Sequence, residues 1–196
     1  MVECTQETER LLGKGKMGMI QNRKIHTLVL AALFLSMGML LPLLTLQIKE
    51  IGDSLLPMHL AVLLCSLLCG WKYGLIVGAV LPFLRSAFFG MPPMYPNGVW
   101  MSFELAAYGC SLDLLFAYVF RRKERLLLPA LLGAMLLGRI VWGSVKAVLL
   151  GLSDKPFSFA MFWTGGFVDA VPGIVLQLIL IPVVWRLTRK WFAGKG

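Results

Sequence analysis

Long apolar stretches, each closed by a short polar or helix-breaking cluster, occupy most of this chain of 196 residues. They run from Ile25 to Leu46, Pro57 to Gly70, Trp71 to Gly90, Gly98 to Phe120, Leu126 to Gly151 and Phe159 to Leu187. The separators are Gln47 to Ser54, Gly90 to Gly98, Arg121 to Arg125 and Gly151 to Ser158. A membrane helix needs about 20 apolar residues, so the second run is short or strongly tilted and the others are long enough. Composition agrees: 58% of residues are hydrophobic and 15% charged, against about 25% charged in soluble domains. A soluble core of this size cannot hide so much apolar surface, so lipid must cover it. Disordered and collagen-like chains are excluded on the same grounds. The predicted fold is an all-α integral membrane protein with six transmembrane helices.

Residues 1–24 are rich in charge and contain no apolar stretch of signal-peptide length, and the run after them is too long for a signal core. The expected organisation is a tail at 1–24, a six-helix domain at 25–187 and a basic tail at 188–196. No linker divides the chain and no repeat relates its halves. With the N-terminus in the cytoplasm, 14 of the 19 Lys and Arg residues fall on the inner side, and the outer loops carry only Lys49 and Lys155. That bias predicts both termini inside. It also accounts for the net charge of +9 as topology, with no basic soluble face for nucleic acid. The four cysteines, at positions 4, 65, 69 and 110, show neither a disulfide framework nor zinc spacing.

Ionisable groups at membrane depth are costly, which makes each a candidate site residue. In this topology Arg85, Glu104, Tyr108, Arg139, Lys146, Trp163 and Asp169 lie at or above the midplane, toward the outside, and His59 opens the second run there. Asp113 and Gln177 lie deeper. A through-path needs polar groups at every depth, whereas a pocket that captures a solute from outside needs them in the outer half alone. Structural pairing competes with ligand contact: Arg85 is as well placed to pair with Glu104, and Arg139 with Asp169. Lys146 is equally suited to snorkel to the interface, and His59 beside Pro57 reads as a hydrogen-bonding residue at a helix start. Two such pairs would leave one cation, Lys146, and a pocket suited to a neutral or carboxylate-bearing solute. Trp100, Phe103, Tyr108, Trp142 and Trp163 offer aromatic walls or interfacial anchors. Gly70, Gly74 and Gly78 form overlapping G-x-x-x-G steps for close helix contact, and Ala32 and Ser36 a weaker small-residue pair.

No P-loop, H-E-x-x-H, G-x-S-x-G or G-x-G-x-x-G motif occurs. An ATPase is excluded, and neither a cofactor nor a metal is expected. The competing classes are an ion-coupled secondary transporter, which needs polar groups in both membrane halves, and an integral membrane enzyme using Glu104 or Asp169 with His59.

Several strings resemble a known family: Leu56-Pro-Met-His59, Gly70-Trp-Lys-Tyr-Gly74, Leu81-Pro-Phe-Leu-Arg-Ser86, Phe89-Gly-Met-Pro-Pro-Met-Tyr-Pro96, Met101-Ser-Phe-Glu-Leu-Ala-Ala-Tyr-Gly109 and Gly138-Arg-Ile-Val-Trp-Gly143. In order and placement they are similar to the substrate-binding S components of energy-coupling factor (ECF) vitamin transporters, over about residues 25 to 187, in the branch of pantothenate, pyridoxine and hydroxymethylpyrimidine carriers. The resemblance implies a prokaryotic cell-membrane protein that binds a small vitamin at its outer side. It implies partners too: a transmembrane coupling subunit and two cytoplasmic ATPases, with the S component toppling in the bilayer to deliver its load. Pantothenate is the lead substrate, with pyridoxine, hydroxymethylpyrimidine, niacin and riboflavin as alternatives.

Carried onto this chain, the resemblance makes Arg85, Asn97, Glu104, Tyr108, Arg139, Lys146 and Asp169 the polar binding candidates. Arg139 or Lys146 would hold a substrate carboxylate. Glu104 would accept from hydroxyl or amide groups or hold Arg85. Trp100, Trp142 and Trp163 would stack on the ligand or close the pocket, and Gly90 to Gly98, with Pro92, Pro93, Tyr95 and Pro96, would form a lid. The family's Ala-x-x-x-Ala docking signature is replaced here by Ala32 and Ser36, which keeps the face small.

Overall fold

Helices account for nearly all of the described chain, because lipid supplies no partners for backbone N–H and C=O groups and a helix satisfies them internally. The computed structural model describes residues 24–42, 57–152, 158–168 and 170–193. Among these there is no strand. The α-helices are α1 (Lys24–Pro42), α2 (Pro57–Cys69), α3 (Trp71–Phe89), α4 (Val99–Leu114), α5 (Leu127–Gly151), α6 (Phe159–Trp163) and α7 (Val171–Ala193).

Among the described residues, five helical stretches are long and apolar enough to cross a membrane: Lys24–Pro42, Trp71–Phe89, Met94–Val119, Glu124–Gly151 and Val171–Thr188. The second expected span is the short one anticipated from its run, and the last is divided. Helix α2 has 13 residues, about 20 Å at 1.5 Å per residue, well short of a hydrocarbon core of about 30 Å. The apolar run from Phe159 to Leu187 is not one helix: α6 widens after Trp163 into a π-helical turn over Thr164–Val168, and α7 starts at Val171. Gly165 and Gly166 in the turn and Pro172 beyond it favour a break that apolarity alone does not reveal.

Glycines set the corners. Gly70 has φ 97°, a conformation open to glycine at little cost, and turns the chain from α2 straight into α3. Gly90 (φ 68°) closes α3 by donating its N–H to the Ser86 carbonyl at 3.0 Å, the usual left-handed helix end. Gly74 and Gly78 lie where α3 meets α4: a Cβ on either would run into the backbone of Gly109 or Leu105.

The short helix α2 is the centre of the bundle. Every residue from Met58 to Leu67 is buried, as expected for a helix apolar all round, and α3, α4 and α7 pack around it. Helix α1 lies against the outside of this group. Its Ala31, Phe34 and Gly38 face inward, Gly38 against Leu81 and Ala61, while Leu28, Val29, Leu33 and Leu40 are exposed. On α5, Leu128, Leu132, Leu136 and Ile140 form an exposed apolar side opposite buried Leu131, Ala134, Gly138 and Arg139.

Asp113 ties the basic end of the bundle together. Its Oδ2 accepts the Trp71 N–H at 3.0 Å, its Oδ1 accepts from Arg122 Nη2 at 2.8 Å, and its own N–H donates to Ser66 Oγ at 3.3 Å. One carboxylate thus caps the exposed amide that begins α3 and holds the turn after α4, where Arg121 and Arg122 have φ of 48° and 52°. Arg121, Arg122, Lys123 and Arg125 are exposed there, as is Lys72.

Candidate functional site

Two helix stripes face each other across the α4–α5 contact. On α4, Trp100, Glu104 and Tyr108 follow at intervals of four; on α5, Arg139, Trp142 and Lys146 follow at three and four. These spacings place each trio on one side of its helix. Glu104, Tyr108, Arg139 and Trp142 are buried, and Trp100 and Lys146 partly so.

Glu104 is the hub. Its Oε1 lies 3.0 Å from Arg139 Nη1 and 3.3 Å from His59 Nε2. His59 is 2% exposed and stands edge-on to Tyr108, with ring centroids 5.1 Å apart. Helices α2, α4 and α5 therefore converge on one carboxylate. The approaches are close enough for ion pairing yet off the hydrogen-bonding directions. His59 Nδ1 and Nε2, Glu104 Oε1 and Arg139 Nε and Nη2 have no hydrogen-bond partner among the described residues. Buried polar atoms are nearly always paired, and each one left unpaired costs about 1–3 kcal/mol. Three of these atoms, His59 Nδ1 and Arg139 Nε and Nη2, lie outside the two ion-pair contacts as well, an arrangement that a polar ligand can complete.

Tryptophans wall the same space. Lys146 Nζ lies 4.5 Å from the Trp142 ring centre and 5.3 Å from that of Trp100, and Arg139 Cζ lies 6.0 Å from Trp142. These are cation–π distances, so Lys146 is held over two indoles and is not simply snorkelling. Glycines bring the rings in. A Cβ on Gly138 would come 2.7 Å from Tyr108 Cε2, and one on Gly165 would meet Trp142 at 3.3 Å. Phe162 of α6 packs tilted on Trp142 with centroids 6.1 Å apart.

Arg85 is not a partner of Glu104. Its Nε donates to the Met91 carbonyl at 3.1 Å and its Nη1 to the Met39 carbonyl at 3.4 Å. The carbonyls of a last helical turn lack intrahelical donors and attract a cation; Glu104 meanwhile is engaged by α5 and α2. Arg85 thus anchors the segment after α3 to the end of α1. In that segment Pro93, Met94 and Tyr95 are exposed and Pro92, Pro96 and Asn97 half-buried, and Gly98 donates its N–H to the Pro93 carbonyl at 2.9 Å. Trp163 is 54% exposed at the end of α6, and Phe103, at 55%, faces away from the stripes. Asp169, the expected partner of Arg139, lies outside the described residues. Asp113 belongs to the basic end, away from these stripes.

His59, expected on the same side but as a hydrogen-bonding residue at a helix start, was not among the binding candidates, and it stands against Glu104. Its position after Pro57 suggested a helix start, but the signal was an ionisable ring in a helix otherwise apolar all round. Among the described residues no three His, Cys, Asp or Glu side chains are grouped to hold a metal. A family model for the substrate-specific component of ECF transporters matches residues 26–185. No curated protein matches the chain, and no solved structure does.

Proposed function

Since the chain belongs to the substrate-specific components of ECF transporters, a family of transporter subunits that are not enzymes, we propose that its α4–α5 stripes form the capture site for a small water-soluble vitamin or precursor. The observation that carries this reading is the convergence of Glu104, Arg139 and His59, with polar atoms that lack a hydrogen-bond partner among the described residues, beside Trp142. The lead substrate is pantothenate, after the branch that the sequence strings resemble. Pyridoxine, hydroxymethylpyrimidine, niacin and riboflavin are the alternatives.

The two ends of the bundle support an inward direction of transport. Arg121, Arg122, Lys123 and Arg125 are exposed at the end that Asp113 ties together, and Arg85 with its prolyl segment stands at the other. Basic loops stay in the cytoplasm, which supports a site toward the outside and both termini inside; the family supports a multi-pass membrane protein, here read as one of a prokaryotic cell membrane. The segment from Gly90 to Gly98 acts as a lid over the site, held at its base by Arg85. The family implies a transmembrane coupling subunit and ATPase subunits as partners. Ala32 and Ser36 are exposed on α1, and Ser36 Oγ is turned back onto the Ala32 carbonyl at 3.0 Å. This leaves a small, hydrogen-bond-satisfied face on which a partner helix can dock closely. The loaded protein then topples on the coupling subunit to release its substrate inside.

Uptake of labelled pantothenate by cells expressing the chain with and without a coupling subunit and two ATPases tests this reading. Uptake is expected only with the full set. Equal uptake by the chain alone would instead identify a self-sufficient carrier.

A further inference from the structure

Among the described residues, the facing stripes of α4 and α5 hold one carboxylate, Glu104, against two cations, Arg139 and Lys146. Glu104 meets only the Nη1 end of Arg139, at 3.0 Å. The Nε and Nη2 atoms are without a hydrogen-bond partner among the described residues, although Arg139 is only 4% exposed. Those two nitrogens share one edge of the guanidinium, and their N–H bonds run parallel. That edge is the fork that matches the two oxygens of a carboxylate. A single hydroxyl or carbonyl oxygen could bridge both donors only through bent, weaker bonds and would leave the charge unbalanced. The guanidinium is also fixed in its plane, because Glu104 holds the Nη1 end and Trp142 lies 6.0 Å from Cζ. One helical turn beyond Trp142, Lys146 places its ammonium at 4.5 Å from the same ring, adding positive charge that a neutral ligand would leave unbalanced. Unbalanced charge at membrane depth is costly.

We propose that the ligand carries a carboxylate, which docks side-on against the Nε and Nη2 edge of Arg139 with Lys146 as second countercharge. This rests on the capture-site reading above and narrows it to organic acids, setting aside neutral and cationic micronutrients.

Matched pairs test it: calorimetry on the purified full chain with nicotinate and nicotinamide, pantothenate and pantothenol, and biotin and biotin amide, with thiamine, riboflavin, pyridoxine and hydroxymethylpyrimidine alongside. One acid is expected to bind, with its uncharged counterpart at least about 50-fold weaker. Arg139→Lys, which keeps the charge but not the fork, is expected to lose a similar factor. If that variant fails to fold, the matched pair in the unaltered protein still decides. A counterpart that binds within threefold of its acid overturns the proposal, as does a neutral or cationic vitamin binding where no acid does. A tenfold gain in acid affinity on Asp169→Asn would assign the edge to that side chain and overturn it too. If nothing in the panel binds, the carboxylate assignment fails, and the capture reading fails with it.

Discussion

Glu104 answers to two buried neighbours at once, and that makes its charge more consequential than its shape. Glu104→Gln would leave Arg139 as a buried cation without a counterion, a change that costs about 3 kcal/mol in comparable buried pairs. Unfolding of the purified variant in micelles should show a loss of that size, together with weaker ligand binding. His59→Phe separates the two roles of the imidazole. The ring still packs edge-on to Tyr108, but no imidazole nitrogen approaches Glu104 Oε1, which keeps Arg139 Nη1 alone. Stability should change by less than about 1.5 kcal/mol, while affinity falls more than about tenfold; unchanged affinity would remove His59 from the site. Gly138→Ala should push the Tyr108 ring off α5, since the new methyl would lie 2.7 Å from Cε2. The expected cost is about 1–3 kcal/mol, and unfolding measurements check it.

Helix by helix, the bundle depends on a backbone contact that allows no side chain. Gly109 of α4 and Gly74 of α3 meet so closely that a Cβ on Gly109 would collide with the Gly74 backbone. Gly109→Ala should therefore separate the two helices and cost about 2 kcal/mol or more, whereas Gly151→Ala, with nothing within 4 Å, should be close to neutral. Comparing the two unfolding midpoints tests whether this contact organises the bundle. The glycine steps on α3 were legible in the sequence because spacing alone reveals them, although Gly70 turned out to shape a corner. The α4 and α5 stripes were legible for the same reason: Trp100, Glu104 and Tyr108, like Arg139, Trp142 and Lys146, repeat at helical intervals. Which charges would pair was not. Arg85 and Glu104 sit at similar depth on consecutive helices, yet the partners of Arg85 are backbone carbonyls of α1 and the prolyl segment. Backbone acceptors leave no trace in side-chain spacing. The widening of α6 over Thr164–Val168 was hidden as well, because that segment carries no charge and its two glycines act through conformation.

As a whole, the molecule is polarised along its length. One end carries the exposed cations and the Asp113 clasp, the other Arg85 and its prolyl segment, and α1 lies along the side with Ala32 and Ser36 outward. Such a body suits a subunit that captures at one end and docks by its flank. Ser36→Phe should abolish uptake in cells expressing the complete transporter, while the isolated protein keeps its ligand affinity within about twofold, because the side chain faces away from α4 and α5. Unchanged uptake with an intact complex would place the docking face elsewhere. On the proposed function, this protein captures one small solute between α4 and α5. The most direct test is the melting temperature of the purified protein, with and without each water-soluble vitamin in turn, run in parallel on Arg139→Gln. A ligand that binds only the folded state raises stability by RT ln(1 + [L]/Kd). The account predicts a large shift with a single vitamin, abolished in the variant. No shift across the panel, or a shift that survives intact in Arg139→Gln, would contradict it.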